Sequence, residues 1–254
     1  MDTIIFSRIW NPGLIRIALE CARKHCPDCR VIHFHDETSG VGWDDSIDVG
    51  EQFTEAIKYP DSLPEESYSC FKNLQKVCLA RWKVLADWME VEGIDEVFHC
   101  DSDVLLFNDP FQSPHYFHGR LLLSDNKNGM CHAGNAMVPK TCVKEFWPFL
   151  QKMVTDGAFR DGHLSDMHVW TLLGALLGYY NQNQILDGVT FDHHMGYTGT
   201  TEHEEWESEN GYKKLTWKDG HPYCRHLPSG ADIRLLSLHC WGQAECHMAE
   251  YAAH

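Results

Sequence analysis

The chain has 254 residues, with 37 acidic against 21 basic side chains and a formal charge of −16. That length allows one large domain or two small ones and buries a substantial core. Lys and Arg form no run of five or more, which excludes nonspecific binding of nucleic acid or anionic lipid as a main activity, because phosphate backbones are held by clustered basic side chains.

Thr3 to Ile9 reads as a buried β-strand, with Pro12-Gly13 as the turn after it. Leu14, Ile17, Ala18 and Cys21 recur at helical spacing and predict a helix ending before Pro27. Arg30 to His35 is the next strand, which completes the β-α-β rhythm of a sheet with helices on its faces. Residues 40–69 carry Gly, Pro and acidic side chains with weak periodicity and read as loops with one short helix. Phe71 to Val91 is the clearest helix, with Leu74, Val77, Cys78, Val84, Leu85 and Trp88 in its apolar stripe and Gly93 ending it.

Val97 to Cys100 reads as a strand leading into Asp101, and Val104 to Phe107 continues the apolar tract until Asn108-Asp109-Pro110 breaks it. Strands follow at Arg120 to Ser124 and at Asn135 to Pro139, the latter after a turn at Ala133-Gly134. Val143 to Val154 is a helix, and Ser165 or Asp166 caps another from Met167 to Gly178. Gln184 to Tyr223 is turn-rich, with β-like alternation over Tyr212 to Trp217, and Leu235 to Cys240 is the last strand. No repeat or low-complexity linker divides the chain. The expectation is therefore a single α/β domain over residues 1–254, with a nucleotide-binding half near 1–110 and an acceptor-side half and C-terminal cap near 111–254.

Asp101-Ser102-Asp103 ends an apolar strand and is followed by four more apolar residues. Side chains two apart on a strand point to one side, so both carboxylates can meet a single cation. A D-x-D triplet alone is a common accident of acidic chains. Between two apolar stretches, however, two carboxylates need a partner, because unpaired buried charge is costly. Oxygen ligands suit Mg²⁺ or Mn²⁺, and an added imidazole moves the preference toward Mn²⁺.

The segments EVFHCDSDVLLFNDP, HAGNAMVPK, LSDMHVWTLL and LSLHCWG together resemble the nucleotide-sugar glycosyltransferases of GT-A fold, particularly family 8, the galactosyltransferase and glycogenin group. The likeness spans roughly residues 3–242 and implies a Rossmann-like mixed sheet flanked by helices. It implies that Asp101, Asp103 and His239 bind Mn²⁺, with Mg²⁺ as a second possibility, and that Gly242 completes an H-x-x-G motif. By the same resemblance Phe6, Ser7 and Arg8 lie at the strand end that cradles the nucleotide base. Arg81 lies near the nucleotide or sugar, Ser102 within the metal motif, and Gly134 and Asn135 on the strand that contacts the donor sugar. The family's acidic D-Q pair beside the donor resembles Ser165-Asp166, and this makes Asp166 the catalytic candidate, orienting the sugar hydroxyls or stabilising oxocarbenium-like charge. The family often carries a Lys shortly after H-x-x-G, whereas this chain has Gln243-Ala244-Glu245-Cys246-His247, leaving His247, Arg8 and Arg81 to offset the diphosphate.

The implied reaction moves a sugar from a nucleotide-sugar donor, UDP-linked by preference, to a hydroxyl acceptor such as a glycan, with retention of configuration. An inverting transferase would instead need a base such as Asp166, Asp192 or His193. A metal-dependent nucleotide-sugar hydrolase and a noncatalytic module that binds nucleotide sugars or carbohydrate compete with this reading. Cys26-Pro27-Asp28-Cys29 lacks a second C-x-x-C and reads as a surface turn. Asp192-His193-His194 is a metal-binding candidate or a polar loop. Trp206, Trp217, Tyr197 and Tyr223 stack on acceptor sugars or, for most of them, pack the cap. Eleven scattered cysteines, an N-terminus with no basic leader and no long apolar stretch point to reduced thiols, no membrane span and a cytoplasmic location.

Overall fold

The structure, a computed structural model, describes residues 1–7, 12–36, 40–68, 72–126, 129–158, 164–191, 194–196 and 204–254, with the backbone alone at 12, 13, 66, 126 and 243. Apolar alternation builds its centre. Along β1 (Thr3–Ser7), Ile5 enters the core on one side of a sheet, while Ile4 and Phe6 enter the core on the other. Helix α1 (Pro12–His25) follows, with Ile15, Ala18, Leu19 and Ala22 fully buried. Pro12 and Gly13, expected to turn the chain, open this helix instead. Pro is accepted in a first turn because its missing N–H has no helical partner there.

After β2 (Arg30–His35), the stretch expected to be mostly loop holds β3 (Ser46–Asp48) and the 13-residue helix α2 (Gly50–Ser62). Phe53, Ala56 and Pro60 are its buried residues. Three small or isolated apolar positions among acidic neighbours are enough to seat the helix but leave a faint periodicity. Helix α3 (Lys72–Glu92) agrees closely with its prediction, and β4 (Glu96–Asp101), β5 (Val104–Leu106) and β6 (Leu122–Asn126) follow. β7 (Met130–Pro139) runs straight through Ala133-Gly134, where a turn was expected. Then come α4 (Lys140–Thr155), α5 (Asp166–Leu177), β8 (Tyr180–Asn181), β9 (Val189–Thr190), β10 (Ser208–Glu209) and β11 (Tyr212–Lys213). The chain continues through β12 (Leu215–Lys218), β13 (His221–His226), β14 (Ala231–Leu235), β15 (Ser237–His239) and α6 (Met248–Ala252).

The seven-stranded sheet has the order β3-β2-β1-β4-β7-β6-β8. Its first four strands are parallel and β7 is antiparallel to both β4 and β6. Buried side chains of α2, α3, α4 and α5 pack on one side. Those of α1 and α6, β5, β13 and β14 pack on the other. β12, β13, β14 and β9 form a second sheet, and β15 pairs with β5.

Trp217 packs against Phe107 and stacks on His254, and Trp206 packs against His226. Tyr223 lies under Lys218, and Tyr197 lies outside the described residues. All ten described cysteines are free thiols. Cys26, expected in a surface turn, is fully buried, and its thiol donates to the Asn108 carbonyl, while Pro27 and Asp28 stay exposed. Among the described residues no helix is long and apolar enough to cross a membrane.

Candidate metal and nucleotide site

The parallel pairing of β1 with β4 sets Ser7 beside Asp101. The chain then turns through Ser102 to Asp103 and β5. β15 lies antiparallel to β5 with His239 opposite Val104, and the Cys240 N–H donates to the Asp103 carbonyl at 2.8 Å. Two backbone ladders thus bring distant residues together. One ligand atom each from Asp101, Asp103 and His239 lies within 4.8 Å of the others.

Asp103 is 8% exposed and His239 3%. Asp103 Oδ1 is buried without a hydrogen-bond partner, and His239 Nε2 stands 3.5 Å from it. A buried carboxylate oxygen left in this state is costly unless a cation meets it. Two carboxylates with one imidazole therefore fit a divalent ion of the Mn²⁺ or Mg²⁺ type.

Helix α3 supplies the counter-charge. Arg81 donates through Nη1 to Asp101 Oδ1 and through Nη2 to Asp166 Oδ2, the second contact at 2.7 Å. The Trp82 indole N–H donates to the same Asp166 oxygen at 3.1 Å. Asp166 opens α5, and of the two capping candidates it is Ser165 whose hydroxyl accepts the His168 N–H. Burial opposes the charge on Arg81, but Asp101, Cys78 and Asp166 outweigh it and hold the guanidinium protonated. Burial pushes the Asp101 carboxyl above its usual range, with Arg81 opposing and Asp103 adding to the rise. Burial would raise Asp103 as well, but His239 holds it below the ordinary value.

These residues line a cavity of about 360 Å³, in the range of small-molecule sites. Ser7, Arg81, Asp101, Ser102, Asp103, Asp166 and His239 from the sequence reading all face it. Gly134 stands at its edge: a Cβ there would lie 2.9 Å from Asp101 Oδ2 and 2.8 Å from the His132 ring. That glycine serves close approach rather than a turn.

Phe6 and Asn135 point elsewhere. Phe6 is fully buried in the core on the α1 side. Asn135 is fully buried and donates to Ser237 Oγ at 3.0 Å while accepting from Ser124 and Gln182. Each is one residue out of step with a neighbour that does face the site, Ser7 and Gly134, and strand alternation sends it to the other side. Gly242 has φ of 68°, a left-handed conformation that favours glycine, and there it opens a short 3₁₀ segment ending at His247. His247 pairs with Glu250 and packs on Tyr212 and Tyr251, and it does not line the cavity. Arg8, Asp192 and His193 lie outside the described residues.

Gln75, Cys78, His132, Met167, Trp241 and Glu245, not expected as site residues, also line the wall, together with Leu74, Val77 and Ser165. Gln75 and Cys78 sit six and three residues before Arg81 on one helix face, a spacing that could have flagged them. His132 is the most consequential. Its ring lies 5.2 Å from that of His239, but its Nδ1 accepts the Gly134 N–H at 3.1 Å. Its proton therefore resides on Nε2, and burial takes the imidazole down to about 3. In this tautomer it is a hydrogen-bond donor beside the Asp101, Asp103 and His239 cluster rather than part of it. Among the described lining residues, four carboxylates face a single guanidinium, so the cavity favours a cation.

No known family's sequence profile matches the chain, and no curated protein matches it. Solved structures do. The galactosyltransferase LgtC, in complex with donor and acceptor sugar analogues, matches with a TM-score of 0.59 at 14% identity, covering 99% of this chain and 95% of that one. An active-site mutant of LgtC matches to the same extent. The apo form of the glycosyltransferase GlyE from Streptococcus pneumoniae TIGR4 matches with a TM-score of 0.52 at 15% identity, covering 100% of this chain and 60% of that one. At these identities the likeness is one of fold: the chain has the GT-A glycosyltransferase fold expected from its motifs.

Proposed function

We propose that the chain is a metal-dependent glycosyltransferase that moves a sugar from a nucleotide-diphosphate sugar, UDP-linked by preference, to a hydroxyl of an acceptor such as a glycan. The observation that carries this reading is the cluster of Asp101, Asp103 and His239, with a buried Asp103 oxygen that lacks a hydrogen bond, in a cavity of the GT-A fold. Asp101, Asp103 and His239 would hold Mn²⁺, or Mg²⁺ in its place. The ion supplies Lewis-acid stabilisation of the charge that gathers on the diphosphate as the glycosidic bond breaks.

The protein's own groups set the geometry. Arg81 ties Asp101 to Asp166 and so fixes the metal side of the cavity relative to the sugar side. Two donors hold Asp166 through Oδ2, while Oδ1 has no hydrogen bond among the described residues, so Oδ1 is placed to accept a sugar hydroxyl. We assign retention of configuration. The leaving diphosphate oxygen then lies on the same face as the acceptor hydroxyl and takes its proton, so no separate base is required. Proton NMR of the fresh product checks this: a product with the anomeric configuration of the donor is expected, and an inverted one rules the assignment out.

With Mn²⁺ and a panel of UDP- and GDP-sugars, transfer to an added acceptor is expected. Free sugar alone would indicate a hydrolase, and binding without turnover a binding module. Asp103→Asn should remove Mn²⁺-dependent stabilisation by UDP. For the unaltered chain that stabilisation is about 2.7 kcal/mol at a hundredfold excess of nucleotide over Kd. A thermal shift that survives the substitution places the nucleotide elsewhere.

A further inference from the structure

Ser7 and His99 form a hydrogen-bonded pair beneath the cavity. Ser7 Oγ lies 2.7 Å from His99 Nε2, and His99 Nδ1 lies 3.0 Å from the carbonyl oxygen of Ala133. The His99 ring is 1% exposed and packs against Trp82 with centroids 4.6 Å apart.

The direction of each bond follows from what the atoms can do. A carbonyl oxygen only accepts, so the proton of the imidazole is on Nδ1. A buried neutral ring has one such proton, which leaves Nε2 as a bare lone pair, and Ser7 must donate its single hydroxyl hydrogen to it. Ser7 therefore faces the cavity with lone pairs alone. A phosphate oxygen has nothing to offer such a group, whereas a hydroxyl of a ligand does.

We infer that His99 is a positioning residue that fixes Ser7 as an acceptor, so that Ser7 reads a ribose hydroxyl of the bound nucleotide and turns phosphate oxygens away. This rests on the nucleotide-sugar reading of the same cavity. Ser7 is the strand neighbour of Asp101, about 4.8 Å across the sheet. A diphosphate held at Asp101, Asp103 and His239 leaves the adjoining ribose, with its two hydroxyls, as the part of the ligand at that distance. His132 has the opposite polarity, because its Nδ1 accepts and its Nε2 donates. The cavity thus presents an acceptor on the β1 side of Asp101 and a donor on the β7 side.

The test is calorimetric titration, with Mn²⁺ present, of UDP and its 2′-deoxy, 2′-fluoro, 3′-deoxy and 3′-fluoro analogues. Fluorine accepts weakly and never donates, so at one of the two positions both replacements should weaken binding by about tenfold, the worth of one such hydrogen bond. Ser7→Ala should bring hydroxyl, hydrogen and fluorine at that position to within about twofold, as expected when the reading group is gone. His99→Leu, which frees the Ser7 hydroxyl to turn and donate, should narrow the hydroxyl-over-fluorine preference in the same way. His99→Gln should preserve it, because an amide offers one N–H for Ala133 and one carbonyl for Ser7.

If His99→Leu weakens all five ligands equally and leaves the ratios intact, His99 is structural and the inference fails. It also fails if Ser7→Ala keeps the discrimination, or if the unaltered protein binds UDP with Mn²⁺ yet shows no preference at either position. Absence of any Mn²⁺-dependent UDP binding would instead overturn the nucleotide-sugar reading itself, and the inference with it.

Discussion

Arg81 reaches Asp101 with one nitrogen and Asp166 with the other, from a position only 12% exposed. Removing it would leave two carboxylates facing each other across a low-dielectric cavity. Arg81→Met, which keeps most of the volume, should destabilise the fold by about 3–5 kcal/mol, the cost of stranding a buried charge, measured as a lower urea midpoint. Arg81→Lys should recover only part of that loss, because one ammonium on a flexible stem cannot present two nitrogens in a planar fork. At this scale the sequence is informative about residue type and weak about direction. Asp101, Asp103 and His239 were legible because carboxylates set between apolar stretches demand a partner. Phe6 and Asn135 were misplaced because adjacency in sequence suggests a shared side, while the strands send them to the opposite side from Ser7 and Gly134. His132, Trp241 and Glu245 lie in segments singled out in the sequence, but only the tertiary fold turns them to the wall.

Among the elements, β7 does more than the sequence suggested. It pairs with β4 along Asn135–Pro139 and with β6 at Met130, Cys131, His132 and Met137, and Gly134 lets the strand lie close against Asp101. Gly134→Ala would put a methyl carbon 2.8–2.9 Å from the His132 ring and Asp101 Oδ2. Overpacking of this kind typically costs about 1–3 kcal/mol. A displaced ligand costs catalysis more, about a hundredfold for a shift near 1 Å. The expected outcome is a circular dichroism spectrum like that of the unaltered chain with glycosyl transfer reduced by that order. Strong periodicity made α3 readable almost to the residue. α2 was expected only as one short helix without bounds, because Phe53, Ala56 and Pro60 are its buried residues, and Ala133-Gly134 mimicked a turn because small residues serve close packing as well as chain reversal.

The whole molecule answers to pH through imidazoles that do not line the cavity. Burial takes His33 down to about 4, with His35 reinforcing it. Burial also takes His25 to about 4, helped by Lys24, His221 and Arg234. In the unfolded chain both return to about 6.5. Between these values the unfolded state binds more protons, so stability is fully present above about pH 6.5 and is lost as pH falls toward 4. Thermal melts should show Tm falling by roughly 10 °C from pH 7 to pH 4.5. His33→Leu should flatten that slope.

The pairing of β5 with β15 also governs when the proposed ion site is complete. Asp101 and Asp103 are made early in synthesis, but His239 reaches them only when Ser237–His239 has docked against Val104–Leu106. That closure spans more than half the sequence, and long-range contacts of this kind form late. A growing polypeptide on the ribosome therefore exposes a pair of acids but not the complete cluster, and on the proposed reading metal capture would mark the end of folding rather than its start.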